Sequence, residues 1–337
     1  MVVRMKVNKE LIAKNNKAFK SCHASNVCFL SNQTIMVVWF AGSKEGASDV
    51  TIWGSIRDNN GWTDPKPITV EENVPHWNPV LFEIKENELL LFYKIGDTIA
   101  TWKTMIMSSY DNGKTWSEAR EMIPGDAGGR GPVRNKLIQL KNHRILAPAS
   151  SEAGVWRCFV DYSDDFGMTW KKSNDIYATP NEDREIAKDY HAIPVSEQSY
   201  VGRGIIQPSL WESDTGVHMF MRSTEGYVFR SDSKDAGATF CQAYQTNIPN
   251  NNSGIDVVRH CDGNLYLVYN PVGISWGKRT PLYLACSEDD GLSFRDILVL
   301  EEGEGEYSYP SIISQNECLY LTYTYNRENI AFWKISI

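Results

Sequence analysis

The sequence predicts an all-β chain folded as a six-bladed β-propeller, and two recurrences predict it. The first is the pattern Ser-x-Asp-x-Gly-x-Thr/Ser-aromatic. It reads "SYDNGKTW" from Ser109, "SDDFGMTW" from Ser163, "SKDAGATF" from Ser233 and "SEDDGLSF" from Ser287, with a worn copy, "SIRDNNGW", from Ser55. The spacing is roughly fifty residues with one longer gap, a period that suits one four-stranded blade per repeat. The second is a set of three β-rich runs that returns six times.

The runs justify the blades in order. A first run starts polar and turns apolar: "HASNVCFL", "HWNPVLFEI", "VRNKLIQL", "IQPSLWES", "SGIDVVRH" and "EYSYPSII". A second follows a turn: "TIMVVWF", "ELLLFYKI", "RILAPAS", "VHMFMRS", "NLYLVYNP" and "CLYLTYTY". The third is "DVTIWGSI", "KTMIMSSY", "WRCFVDYS", "GYVFRSDS", "PLYLACSE" and "NIAFWKIS". Each repeated octapeptide then reads as the hairpin turn into a fourth strand. Its Asp bonds backbone amides, its Gly supplies a positive φ, and its aromatic packs into the blade. These Asp residues are structural. The sixth unit ends the chain without such a turn, so the N-terminal "VVRMKVNKELI" is expected to supply its outer strand and close the ring. Residues 1–337 read as a single propeller domain. The stretch 171–204 reads as an insertion between blades three and four. The glycine-rich "GDAGGRG" (125–131) lacks the Lys-Ser/Thr of a phosphate loop and reads as a flexible loop and a candidate lid.

Composition narrows the function. The hydrophobic fraction is 42%, enough for a real core, and the net charge is −8. Phosphate binding wants a basic face, so nucleic acid is excluded as a partner. No stretch approaches the ~18 apolar residues of a membrane helix, and the N-terminus lacks a secretory apolar core. The seven cysteines are single, without CxxC spacing, so neither a disulfide framework nor a zinc site is expected. These features predict a soluble cytoplasmic protein without metal or cofactor; the oligomeric state is left open.

Candidate site residues follow from the topology. In an antiparallel blade the start of strand one and the end of strand two share an edge, and six such edges meet at one mouth. Strand starts bring His23, His76, Asn78, Arg134, Lys136, Gln207, Asn252, Asp256, Glu306 and Tyr307 to it. Strand ends bring Lys44, Glu45, Lys94, Glu152, Arg222, Asn270 and Tyr325, and Asp49 precedes strand three of blade one. His191, in the insertion, is read as a surface residue.

On "CHASNVCFL", "PHWNPVLF", "NNSGIDVVR" and "GEYSYPS", over essentially the whole chain, the sequence resembles the sialidase superfamily of Asp-box (BNR) repeat propellers, closest to its bacterial sialidase-like branch. That resemblance implies three arginines on a substrate carboxylate, a tyrosine nucleophile activated by a glutamate, and an aspartate as acid/base. Arg222 in "MRSTEG" resembles the second arginine, Arg279 in "GKRTPLYLACSEDDG" the third, Tyr307 in "EYS" the nucleophile and Asp49 in "EGASDVTIW" the acid/base. The first arginine is absent, with His23 in its place, and Gln207 stands where the activating glutamate belongs. Glu306 is adjacent to Tyr307 but on the opposite face of a strand. Glu45 or Glu152 would then substitute from another blade.

The expectation is a retaining glycoside hydrolase that removes a terminal sialic acid or related acidic sugar. Tyr307 attacks, Asp49 protonates, and Arg222, Arg279 and His23 hold the carboxylate, with His23 making binding pH-dependent near neutrality. Two alternatives are a lyase on a uronate-containing glycan, using His23, His76 and Tyr307, and a non-catalytic carbohydrate-binding propeller, favoured by Gln207.

Overall fold

The computed structural model describes residues 5–14, 17–70, 72–183, 185 and 202–337; His191 lies outside them. Its strands form six antiparallel sheets. The chain opens with β1 (Lys6–Leu11), which belongs to the last blade. Blade one holds β2 (Ser21–Phe29), β3 (Ile35–Gly42), β4 (Thr51–Asp58) and β5 (Gly61–Trp62), with β6 (Lys66–Pro67) also on β4. Blade two holds β7 (His76–Lys85), β8 (Glu88–Ile95), β9 (Lys103–Ser109) and β10 (Arg120–Glu121). Blade three holds β11 (Ile138–Gln139), β12 (Ile145–Ser151), β13 (Arg157–Ser163) and β14 (Lys171–Lys172). Blade four holds β15 (Ile205–Ser213), β16 (Gly216–Ser223), β17 (Tyr227–Ser233) and β18 (Tyr244–Pro249). Blade five holds β19 (Asp256–Arg259), β20 (Leu265–Tyr269), β21 (Leu282–Ser287) and β22 (Arg295–Glu301). Blade six holds β23 (Tyr307–Gln315), β24 (Cys318–Tyr325) and β25 (Asn329–Ser336), and β1 pairs with β25 from Lys6↔Ser336 to Leu11↔Ala331. The N-terminal strand therefore closes the ring as expected.

Both faces of each inner strand are covered, which explains apolar runs such as that of β8, buried from Leu89 to Lys94. The core lies between blades. Met36, Val38 and Phe40 of blade one meet Trp77, Leu81 and Leu91 of blade two. Val27, Val37 and Trp39 meet Tyr320 and Phe332 of blade six, and equivalent clusters fill the remaining blade interfaces. Burying a side chain of this size contributes about 1.5–3 kcal/mol.

Four repeated turns close in the same way. In the first, Ser109 Oγ donates to Asp111 Oδ1 (2.9 Å) and accepts from Gly113 N (2.9 Å), while Thr115 N and Oγ1 donate to Asp111 (2.8 and 2.7 Å). Asp165, Asp235 and Asp289 make the matching bonds. Gly113, Gly167, Gly237 and Gly291 have φ of 81°, 82°, 81° and 80°, which a Cβ would strain. The turns lie at the strand ends away from the mouth.

Two expectations change. The stretch 171–204 is not wholly an insertion, because Lys171–Lys172 is the outer strand of blade three and Cys158 bridges Ile176. The "GDAGGRG" loop is anchored rather than lid-like. Asp161, fully buried, pairs with Arg130 and accepts from Gly131 N, and Lys94 Nζ donates to Arg130 O (2.9 Å) and Gly131 O (3.3 Å). A Cβ on Gly128 would lie 2.1 Å from Ala100 O, so the backbone passes where only glycine fits. Among the described residues no helix is long and apolar enough to cross a membrane.

Candidate active site

The site is built by one backbone device used four times. The innermost strands β2, β7, β15 and β23 each carry a register shift near the mouth, between His23 and Asn26, Trp77 and Val80, Ile206 and Ser209, and Ser308 and Ser311. Inside each shift sits a residue in the left-handed region: Ala24 (φ 55°), Asn78 (43°), Gln207 (54°) and Tyr309 (55°). Bulges of this kind re-aim a side chain and are costly for non-glycine residues, so the surrounding packing holds them. In three of the four a proline follows, at 79, 208 and 310. Proline has no N–H to lose where the ladder is already broken.

Tyr309, not Tyr307, is the tyrosine this device turns toward the arginines. Arg222 Nη1 donates to Tyr309 Oη at 2.7 Å and to Gln207 Oε1 at 3.2 Å, and Arg222 Nε donates to Asn252 Oδ1 at 2.9 Å. The guanidinium carbons of Arg134, Arg279 and Arg222 lie 5.2, 5.3 and 5.6 Å from the centre of the Tyr309 ring. Burial alone would push the Tyr309 phenol up; Arg222 and Arg279 outweigh it and hold the phenol below its ordinary value, with Gln207 assisting and Glu45 opposing. Tyr307 faces elsewhere. It packs with Tyr323, Leu321 and Leu282, its hydroxyl donates to Glu304 O (3.2 Å), and burial with Tyr325 and Glu301 pushes its phenol up.

His23 is buried at 1% exposure and lies 4.1 Å, centre to centre, from the Tyr309 ring. Its Nδ1 is 2.8 Å from Thr324 Oγ1, and its buried Nε2 has no partner among the described residues. Burial, then Arg327, Arg279, Arg134 and Arg222, hold its pKa well below 6.5. His23 is therefore a neutral ring at physiological pH, which corrects the expectation of a third cation titrating near neutrality.

A further arginine that the sequence reading missed, Arg327, meets Arg279 at Glu306. It sits in the turn between β24 and β25 with φ 60°, and its carbonyl accepts from Cys22 N. Arg327 Nη1 pairs with Glu45 Oε2, and its Nε with Glu306 Oε1 at 2.7 Å, while Arg279 Nη1 reaches the same Glu306 oxygen at 2.9 Å. Burial would raise the Glu306 carboxyl, but the two arginines bring it down to about 2. Glu306 is thus held ionised, and Glu45 and Glu306 both pair with arginines and orient them.

Arg134, Lys136 and Asp256 form a polar cluster next to Tyr309. Arg134 donates to Pro310 O, Asn135 Oδ1 and Ile255 O, and burial lowers its pKa to about 10. Lys136 Nζ lies 2.9 Å from both oxygens of Asp256, which also accepts from Ser209 Oγ (2.6 Å) and Ile312 N (2.8 Å). These residues join blades three to six, the ion pair engages Lys136 and Asp256 with each other rather than with a substrate, and Arg134 is engaged by carbonyls.

Other candidates are not brought to the arginines. His76 Nδ1 is 2.7 Å from Thr69 Oγ1, its ring lies against Tyr93, and burial lowers its pKa to about 4. Lys94 holds the 125–131 loop, as above, with burial lowering its pKa to about 8. Asn270 Nδ2 donates to Pro281 O (2.7 Å) and Tyr307 O (3.0 Å), tying blade five to blade six. Asp49 accepts from Ser43 N (2.9 Å) and Ser43 Oγ (2.8 Å), closing its own loop. Asn78 occupies the same bulge position as Gln207 and Tyr309. Among the described residues no group of three or more His, Cys, Asp or Glu side chains is placed to hold a metal ion.

This chain belongs to the BNR repeat-like domain family, which it matches over residues 33–321. No curated protein matches it in sequence. Among solved structures it is similar to a protein of unknown function from Dyadobacter fermentans (TM-score 0.73, 16% identity, covering 98% of this chain and 99% of that one). It is also similar to a Hadza microbial sialidase (TM-score 0.74, 13% identity, 94% of this chain and 66% of that one). A third is Trypanosoma rangeli sialidase in complex with the inhibitor DANA (TM-score 0.73, 13% identity, 97% of this chain and 59% of that one). The chain therefore spans less than two thirds of the length of either sialidase. At these identities the likeness is one of fold, that of a sialidase-like propeller.

Proposed function

We propose that this propeller is a glycoside hydrolase of the sialidase type, which removes a terminal sialic acid or related acidic sugar with Tyr309 as its nucleophile. The observation that carries the reading is the Tyr309 hydroxyl held at 2.7 Å by Arg222 under a ring of arginines. A substrate with a carboxylate beside its anomeric carbon repels an anionic nucleophile. A phenol, whose charge is developed only under arginine neighbours, avoids that repulsion and still leaves as a stable anion. Arg222 and Arg279 bind the substrate carboxylate, with Arg327 beside them, since a guanidinium fork matches a carboxylate in two parallel bonds. Asn252 and Gln207 orient Arg222, and Glu306 orients Arg279. Retaining hydrolysis then proceeds through a glycosyl–tyrosine bond that water breaks.

The test is release of fluorophore from an aryl α-sialoside by the native protein, Tyr309→Phe and Tyr307→Phe. The expected result is turnover by the native protein, loss of at least about a thousandfold in Tyr309→Phe, and retention in folded Tyr307→Phe. Native turnover that survives in Tyr309→Phe overturns the assignment. A second reading, a lyase on a uronate, is favoured by one observation, the Nε2 of His23 beside Tyr309, which has no partner among the described residues. An unsaturated, ultraviolet-absorbing product identifies it.

A further inference from the structure

A glycosidase needs a group that hands a proton to the departing oxygen. Most acidic groups at this mouth are committed. Both Asp49 oxygens are bonded to Ser43. Glu45 is paired with Arg327, and Glu306 is ionised between Arg279 and Arg327.

Glu152 differs from all of them. It follows β12 at the mouth edge of blade three and is half-buried. Its carboxyl has no hydrogen-bond or ion-pair partner among the described residues. It lines a cavity of about 10 Å3 with Lys94, Ser150, Ser151 and Trp102, room for about one water. Lys94 of β8 lines the same cavity, and Arg222 of β16 acts on the Glu152 carboxyl electrostatically. Ser150 Oγ accepts from Gln207 N at 3.2 Å, so the strand that carries Glu152 is bonded to the strand that carries Gln207. Arg222 Nη1 donates both to Gln207 Oε1 (3.2 Å) and to the Tyr309 hydroxyl (2.7 Å), so Gln207 links the blade edge that carries Glu152 to the arginine at Tyr309. Burial raises the Glu152 carboxyl to about 7 against the pull of Arg222, while arginines hold the Tyr309 phenol down. Groups in one site whose environments push them apart in this way divide into proton donor and nucleophile.

We propose that Glu152, rather than Asp49, is the catalytic acid/base of this site. The proposal rests on the hydrolase reading above. Tyr309 attacks as a phenol whose charge develops under Arg222 and Arg279, its proton passing to solvent as the bond forms. Its oxygen bonds to the anomeric carbon as the bond to the leaving oxygen breaks, and the Glu152 proton goes to that oxygen. Water then attacks the same carbon and gives a proton to the Glu152 carboxylate, and the departing Tyr309 oxygen takes a proton back from solvent. The enzyme ends each cycle in its starting state.

The experiment compares kcat/KM for two α-sialosides that differ only in the leaving group, an acidic aryl alcohol and an alkyl alcohol. Native protein, Glu152→Gln and Asp49→Asn are assayed from pH 5 to 9. An acidic leaving group departs without help, and an alkyl alcohol does not. Glu152→Gln is expected to lose about 100-fold or more on the alkyl sialoside and less than about fivefold on the aryl one. The fall in native alkyl-sialoside activity above pH ~7 is expected to disappear in it. Residual aryl activity shows in the same assay that the variant is folded. Equal losses on both substrates, or a leaving-group split in Asp49→Asn instead, overturn the proposal while leaving the hydrolase reading intact. A native protein inert on both substrates defeats the hydrolase reading itself and takes the role of Glu152 with it.

Discussion

Asp256→Asn is the change that most directly probes how the site is supported. The Asp256 carboxylate is fully buried and faces only donors: Lys136 Nζ at 2.9 Å from each oxygen, Ser209 Oγ at 2.6 Å, Ile312 N at 2.8 Å and Val257 N at 3.1 Å. An amide of the same shape keeps one acceptor and turns an NH2 toward the rest. It also leaves Lys136, whose pKa burial already lowers, as an uncompensated cation. Breaking a buried pair from one side costs about 3–5 kcal/mol, and the misdirected donors do not lessen it. The assay is urea denaturation of native protein, Asp256→Asn, Lys136→Met and the double variant, followed by fluorescence. The double variant no longer buries a lone charge, so it is expected to recover at least about 2 kcal/mol relative to Asp256→Asn. Because Ile312 lies three residues beyond Tyr309 on β23, turnover should fall with stability and return with it. A cost in Asp256→Asn below about 1 kcal/mol, or a double variant no better than the single, would refute the view that this pair holds the blades together.

Three further outcomes follow from the charge environments. Glu306 has its folded pKa lowered to about 2 from 4.5, so its stabilisation is present above pH ~4.5 and lost as pH falls toward 2; discounted for its partial exposure, Glu306→Gln should remove about 1–2 kcal/mol of the native protein's acid sensitivity between pH 6 and 3, read from urea midpoints. Glu152 has the opposite sign: its folded pKa is raised to about 7, so ionising it costs stability as pH rises from ~4.5 through 7, and Glu152→Gln should gain about 1–3 kcal/mol over the native protein at pH 8 and little at pH 4.5. His23, held well below 6.5, should show no shift of its ring proton resonances between pH 5.5 and 8, and a midpoint near 6.5 would contradict its neutral state.

The blades were legible because their signals are local. A Ser-x-Asp-x-Gly turn bonds within its own eight residues, and alternation along a strand needs no partner to be read. The N-terminal strand was legible by elimination, since only the last blade lacked its fourth strand. The site was less so. A regular strand would place Tyr307 and Tyr309 on one face, and only the bulge between Ser308 and Ser311 separates them. A signal was present all the same: Asn78, Gln207 and Tyr309 each precede a proline, so the mouth positions already chosen in blades two and four align with Tyr309 in blade six. Arg327 escaped notice because it lies in a turn two residues beyond the strand end at Tyr325, and only folding brings it beside Glu45 and Glu306. The neutrality of His23 and the pairing of Lys136 with Asp256 depend on burial and on partners from other blades, which spacing alone does not encode.

The most direct measurement is capture of the covalent intermediate. A solved structure of Trypanosoma rangeli sialidase is a complex with 2,3-difluorosialic acid as a covalent intermediate, and the same reagent can be incubated with this protein and its peptides mapped by mass spectrometry. The account predicts one adduct, on Tyr309, absent from Tyr309→Phe. An adduct on Tyr307 or on any other side chain, or a protein that turns over sialosides and never labels, would contradict it.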